Sequence, residues 1–276
     1  MSKIININKV QEYNDFVGAK TLHPLVNVID FSLLPPICYV NTKKLFGLYA
    51  IYLRDSKFTE LGYGQSVYDY QEGTLVFAAP GQVMGSEEDG KYHKVKGYLL
   101  LFHPDLLQNT SLEHIMKNYS YFSYNVREAL HLSSIEREIV VNCFSKIYNE
   151  IENADSCSKD LIVDYIKLFL DYCTRFYKRQ FSSRKEENGD VLMRLESFLN
   201  NYFNSNTPFE KGIPTVQICA DNLCLSANYL SDLIKQETGL SALKHIHRKT
   251  LEMAKERLWN TDNTINEIAT GLGFLY

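Results

Sequence analysis

Two stretches late in the chain repeat each other at an offset of 49 residues, and this repeat limits the possible fold more than any other feature. Thr215-Val216 lines up with Thr264-Ile265, Ala220 with Ala269, Leu223 with Leu272, Cys224 with Gly273 and Leu225 with Phe274. Each copy opens on a threonine, a residue suited to capping a helix N-terminus. An alanine follows five residues on, small enough for two helices to approach closely, and then a hydrophobic residue and a turn. Short helix, turn, second helix is the order of a helix-turn-helix, whose first helix supports a second that enters the major groove of DNA.

The first copy is complete. The pattern predicts a supporting helix over Thr215–Asn222, a turn over Leu223–Leu225, and a second helix over Ala227–Glu237, capped by Ser226 and stopped by Gly239. Tyr229, Leu230, Leu233 and Ile234 recur at helical spacing and are expected to face a core. Ala227, Asn228, Ser231, Asp232 and Lys235 are left on the outside.

The front of the chain is of a different kind. Phe46–Arg54 is aromatic and β-branched enough for a strand, and Asp69–Gly81 reads as turn, strand, turn, with Gly73 and the Pro80-Gly81 pair as punctuation. The polar run 85–90 separates these from a strand at Gly97–Phe102. Short strands joined by turns suggest a small barrel or sandwich. Helical spacing begins after Pro104. Ser133-Ser134 followed by Glu136 offers an N-cap to a helix carrying Ile135, Ile139, Val140, Cys143, Phe144, Ile147 and Ile151. A second helix follows Ser158 with Leu161, Ile162, Tyr165, Leu168, Phe169, Tyr172, Cys173 and Phe176 on one face. The charged run at 178–190 is the expected domain boundary, giving domains 1–185 and 186–276. The fold class is therefore α+β in two domains: a front β-barrel with two flanking helices, and an all-α tandem helix-turn-helix behind it.

The ordered set Ser226-x-x-Tyr229-Leu230, Lys235-x-x-Thr238-Gly239, Ala254-Lys255-x-Arg257-Leu258 and Ile265-x-x-Ile268-Ala269-x-x-Leu272-Gly273-Phe274 resembles the DNA-binding domain of the AraC/XylS family of bacterial transcription regulators. The helix near Ser241–Trp259 looks like the family's linker between two helix-turn-helix units. Glu72-Gly73-x-Leu75-x-x-x-x-Pro80-Gly81 looks like the family's cupin-type sensor. The resemblance implies a DNA-binding, ligand-responsive homodimer with a small-molecule effector and no enzymatic activity. Asn228 and Ser231 are then the leading base-edge candidates, with Ala227 and Asp232 beside them. Lys235, Lys244, Arg248 and Lys249 are candidates for phosphate contact. A carboxylate at Asp232 can accept from cytosine N4 but is repelled by phosphate. The family's second unit continues into its own recognition helix. By the offset, the counterparts of Asn228 to Lys235 lie beyond Tyr276, so the second unit is expected to be incomplete and DNA affinity weak. The alternative expectation is a truncated ligand-binding and dimerisation protein.

Charge fits that picture. Lys and Arg number 29 and Asp and Glu 33, for a net charge of −4. Residues 1–185 balance at 21 of each sign, and 186–276 carry 8 basic against 12 acidic, so the whole excess sits in the DNA-binding half. Cys38, Cys143, Cys157, Cys173, Cys219 and Cys224 form no C-x-x-C pair and are expected to be reduced, buried thiols. His93 and His103 stand ten apart, and His245 and His247 point to different faces of a helix, so neither pair makes a metal site. The barrel shows no metal triad or paired carboxylates, which leaves a cupin enzyme without its chemistry and implies no cofactor. The start of the chain carries no apolar signal region, and no stretch reaches about 18 apolar residues, so a cytoplasmic location is expected.

Overall fold

The computed structural model describes residues 3–38, 42–54, 73–84, 92–125, 128–155, 157–183, 185–260 and 263–274. Glu72, the run 85–90 and Tyr276, all used above, lie outside the described residues. The chain is a mixed α+β protein that divides into two compact units, Met1–Tyr177 and Lys178–Tyr276.

In the first unit the order is β1 (Lys3–Ile7), α1 (Val10–Val17), β2 (Val26–Asp30), β3 (Ile37–Cys38), β4 (Thr42–Phe46), β5 (Tyr49–Arg54), β6 (Thr74–Ala78), β7 (Val83–Met84), β8 (Tyr92–His93), β9 (Gly97–Phe102), α2 (Ser111–Ile115), β10 (Leu130–His131), α3 (Ser134–Glu152) and α4 (Ser158–Ser183). An antiparallel sheet runs β10-β6-β5-β9-β2, with Ile51 paired to both Phe77 and Leu100. A second sheet, β1-β4-β7, joins a parallel to an antiparallel pair, and β3 pairs with β8. These pairings among the described residues do not by themselves close the expected barrel.

The single strand expected over Phe46–Arg54 is two. Phe46 ends β4, and Gly47 turns the chain by donating its N–H to Ile7 O at 2.8 Å. A Cβ at Gly47 would lie 2.6 Å from Asn8 Oδ1 and 3.3 Å from Asn8 Cα, so a larger residue there would have to move the Asn8 side chain. The apolar core between α1 and the sheets includes Ile7, Val10, Tyr13, Phe46, Leu48, Ala50 and Leu101.

Helix α3 begins as its sequence suggests. Ser133 Oγ accepts from Glu136 N at 3.3 Å, and Glu136 Oε2 accepts from Ser133 N at 2.9 Å, a reciprocal capping box. Val140, Cys143, Phe144, Ile147 and Ile151 are buried, but Ile135 is 70% exposed. At 3.6 residues per turn Ile135 lies about 140° around the helix from Val140, outside the buried face. The same geometry corrects α4. Ile162, Ile166, Phe169, Leu170 and Cys173 are buried, whereas Leu161 and Leu168 are 43% and 46% exposed. Leu161, Tyr165, Leu168 and Tyr172 form a separate stripe, about 120° around from the core. Tyr119, Tyr121, Phe122 and Tyr124 are buried: Tyr121 stacks on Tyr177 at 5.4 Å, and the Tyr121 hydroxyl donates to Leu170 O at 2.9 Å.

The expected polar linker is helical. α4 continues to Ser183, and α5 runs Lys185–Phe203. Gln180 and Phe181 are buried, which gives this charged stretch an apolar anchor that its composition conceals. The second unit continues with α6 (Thr207–Lys211), α7 (Val216–Leu223), α8 (Ala227–Thr238), α9 (Ala242–Asn260) and α10 (Ile265–Gly271). Leu199, Phe203, Cys219, Ala220, Leu230, Ile234 and Leu272 are fully enclosed in its core. Among the described residues no helix is long and apolar enough to cross a membrane.

Replacing Ser133 by Ala removes one half of the α3 capping box. It is expected to destabilise the protein by about 1 kcal/mol, read as a lower urea midpoint at unchanged slope.

Candidate nucleic-acid interface

The repeat read from the sequence is reproduced bond for bond in the backbone. Thr215 Oγ1 accepts from Ile218 N at 3.2 Å, and Thr264 Oγ1 from Glu267 N at 3.3 Å. Cys219 N donates to Thr215 O at 3.1 Å, and Ile268 N to Thr264 O at 3.0 Å. At the turns, Leu225 N donates to Ala220 O at 2.9 Å and Phe274 N to Ala269 O at 3.0 Å. Cys224 and Gly273, aligned by the offset, both hold the left-handed backbone, with φ of 60° and 89°.

These two turn residues differ in what surrounds them. A Cβ at Gly273 would lie 2.5 Å from Gly212 C and 2.7 Å from Ile213 N, so glycine is required there for space as well as for conformation. Cys224 is exposed and carries only the backbone strain of a side chain in that region.

Ser226 Oγ accepts from Tyr229 N at 3.2 Å and starts α8. Gly239, at φ 72°, ends it with its N–H on Lys235 O. Tyr229, Leu230, Leu233 and Ile234 are buried, as their spacing predicts. Of the candidate base-reading residues, Asn228 and Lys235 are exposed, while Ala227, Ser231 and Asp232 are half-buried along the flank. Two contacts hold the opposite side of α8. Asn188, 3% exposed, donates from Nδ2 to Phe181 O at 2.6 Å and to Glu237 Oε1 at 2.9 Å. The Phe181 ring lies 5.2 Å from that of Tyr229.

The candidate phosphate-binding cations fall into two groups. Lys235 and Lys244 are exposed and make no ion pair among the described residues. Arg248 pairs with Glu252 at 3.4 Å along an exposed face. Lys249 is only 16% exposed and sits 3.6 Å from Glu196 Oε2 and 4.0 Å from Glu252 Oε2. Glu196 also meets His245, 4% exposed, whose Nε2 is 2.7 Å from Glu196 Oε1. His245 Nδ1 is buried without a hydrogen-bond partner among the described residues. Arg257 closes the unit by donating to Phe203 O and, at 3.2 Å, to Gly271 O.

The thiols are not uniformly buried. Cys143, Cys173 and Cys219 are buried, and burial pushes the Cys143 and Cys219 thiols up to about 11. Cys157 and Cys224 are exposed, because each sits in a turn rather than on a core stripe. No group of three or more His, Cys, Asp or Glu placed to hold a metal ion occurs among the described residues. The anchoring residues Asn188, Glu196 and His245 escaped the sequence reading. A single polar residue in a polar stretch carries no periodic signal of burial.

The contrast between the two turns is testable by thermal unfolding. Cys224→Gly relieves strain of about 1 kcal/mol and is expected to raise Tm by about 2 °C. Gly273→Ala drives a methyl group into the 212–213 backbone and is expected to lower Tm by more than that. Equal and opposite small changes would contradict the close approach.

Residues 219–275 match the family described as "Helix-turn-helix domain", of the AraC type. No curated protein sequence matches the chain. The matched segment begins inside the supporting helix of the first copy, after its Thr215 cap, and includes both left-handed turns and the whole of α8. Those bonds and that match together support a DNA-binding transcription regulator with an AraC-type helix-turn-helix.

Proposed function

We propose that the chain is a ligand-responsive transcription regulator that acts as a homodimer. The observation carrying the DNA-binding part is the twofold use of one capped helix and one left-handed turn. In this reading α8 enters the major groove with Asn228 and Ser231 on base edges, and Ala227 and Asp232 flank them. Lys235 and Lys244 neutralise phosphate, and Arg248 joins them by exchanging its Glu252 partner for DNA. Lys249 has two carboxylates nearby and contributes least. The division of labour is a cupin-like sensor and dimerisation domain over 1–185 and a DNA-binding domain over 186–276, in a cytoplasmic protein whose partner is DNA.

Dimerisation is supported by the α4 stripe. Leu161 and Leu168 are exposed, with half-buried Tyr165 between them and half-buried Tyr172 one turn further on, on a helix whose other face is filled by core. Two DNA-binding domains on one dimer match spaced half-sites. A small molecule that binds one arrangement of the dimer better than another would shift the population.

Gel-shift titration tests the DNA reading, using the chain with any sequence that follows Tyr276 in its reading frame and fragments upstream of its own gene. The expected result is a shifted band that weakens steeply with salt; no shift at low salt overturns the reading. Asn228→Ala is expected to cost about tenfold in discrimination against mismatched sites while leaving nonspecific binding intact, whereas Lys244→Ala weakens all sequences alike. In sedimentation velocity, Leu168→Glu is expected to convert a dimer into a monomer, and a wild type that is monomeric at every concentration removes the dimer proposal.

A further inference from the structure

Helix α8 is held from behind near both of its ends. Asn188 is 3% exposed, and its side-chain amide nitrogen serves two acceptors, Phe181 O at 2.6 Å and Glu237 Oε1 at 2.9 Å. Phe181 lies in the last turn of α4, where carbonyls have no partner within their own helix. Glu237 lies in the last turn of α8 and is exposed. One buried amide thus joins the end of α4 to the end of α8. Beside it Gln236 Nε2 reaches Ser182 Oγ at 3.5 Å, and near the start of α8 the Tyr229 ring meets that of Phe181.

These contacts fall on one face. At about 100° per residue, Tyr229, Gln236 and Glu237 share an arc of about 100°. Asn228, Ser231, Asp232 and Lys235 share a second arc, centred about 140° around from the first. Tyr229 and Glu237 stand about 12 Å apart along the helix, so the two points of support resist both tilt and rotation. Rotation matters most for reading bases. A turn of about 10° carries a side-chain end about 5 Å from the axis through about 1 Å. That is the difference between a hydrogen bond and none.

We propose that Asn188 is a positioning residue for sequence recognition. Through Glu237 it fixes the rotation of α8, and so the place at which Asn228 and Ser231 meet base edges. The proposal deepens the DNA-binding reading above and rests on its placing α8 in the major groove. The competing account is local: the amide caps the end of α4, and its bond to Glu237 adds stability but nothing to recognition.

Glu237→Gln and Glu237→Ala separate the two. Both remove one negative charge from α8 and leave Asn188 its bond to Phe181, so both are expected to bind all DNA more tightly. Glutamine keeps an oxygen for the Asn188 amide, and alanine does not. The readout is a ratio of Kd values, for a nonspecific duplex over the duplex that the wild-type protein selects from a random pool. It is measured at one salt concentration, well below Tm, on the chain with any sequence that follows Tyr276 in its reading frame. A loss of folded protein scales both Kd values alike and cancels in the ratio. Glu237→Ala is expected to lower the ratio about fivefold, Asn188→Ala to lower it as far, and Glu237→Gln to keep it within about twofold of wild type. An unchanged ratio in Glu237→Ala overturns the proposal. An equal fall in Glu237→Gln also overturns it, because the effect then follows the charge. A wild-type protein that does not discriminate at all fails the groove reading and takes this proposal with it. A wild type that discriminates, matched by Glu237→Ala, fails this proposal alone.

Discussion

The helical unit depends on a backbone reversal that an L-residue resists. At Cys224 the chain enters the left-handed region and hands the Leu225 N–H back to Ala220 O. That one residue closes α7 and sets the direction in which Ser226 can begin α8. Every buried contact of α8, from Tyr229 to Ile234, presupposes this turn. The second copy repeats the solution at Gly273, where the neighbouring chain at Gly212 and Ile213 leaves no room for a side chain. Backbone strain is tolerated in the first copy, where the residue faces solvent, and avoided in the second, where it does not.

Around this turn, polar groups fix what apolar packing would leave free to slide. Leu230 and Ile234 hold α8 against the core, but leucine and isoleucine surfaces accept small rotations. Asn188 fixes the helix at Glu237 through directional bonds, and the pair His245–Glu196 does the same between α9 and α5. Asn188 and His245 are themselves buried, so removing the carboxylate partner of either leaves a polar group that water does not reach easily. For a helix expected to present Asn228 to a base edge, such fixing has a plain purpose. A bidentate hydrogen bond tolerates little error in position.

Local chemistry was the legible part of this chain. The caps at Ser133, Thr215, Ser226 and Thr264 and the stop at Gly239 could be read because each needs only its neighbours in sequence. The 49-residue offset predicted the equivalence of Cys224 and Gly273, which the φ angles bear out. Where tertiary partners decide, reading failed. Ile135, Leu161 and Leu168 fit an apolar period but fall outside the buried arc. Phe46 and Tyr49 looked like one strand because nothing in the sequence shows Asn8 pressed against Gly47. The charged run at 178–190 resembled a linker because two buried residues, Gln180 and Phe181, are too few to change its composition.

One asymmetry between the copies concerns acid. The first copy has Ile218 three residues after its threonine, and the second has Glu267, whose carboxylate accepts from the N–H and the hydroxyl of Thr264. Those bonds hold the Glu267 carboxyl below its usual range. A depressed carboxyl favours the folded form above its unfolded pKa and loses that contribution as pH falls through the folded one. The start of α7 rests on a hydroxyl that does not titrate, while the start of α10 rests partly on a charge. As a solution turns acid the two near-identical motifs therefore part company, and the fraying begins at α10.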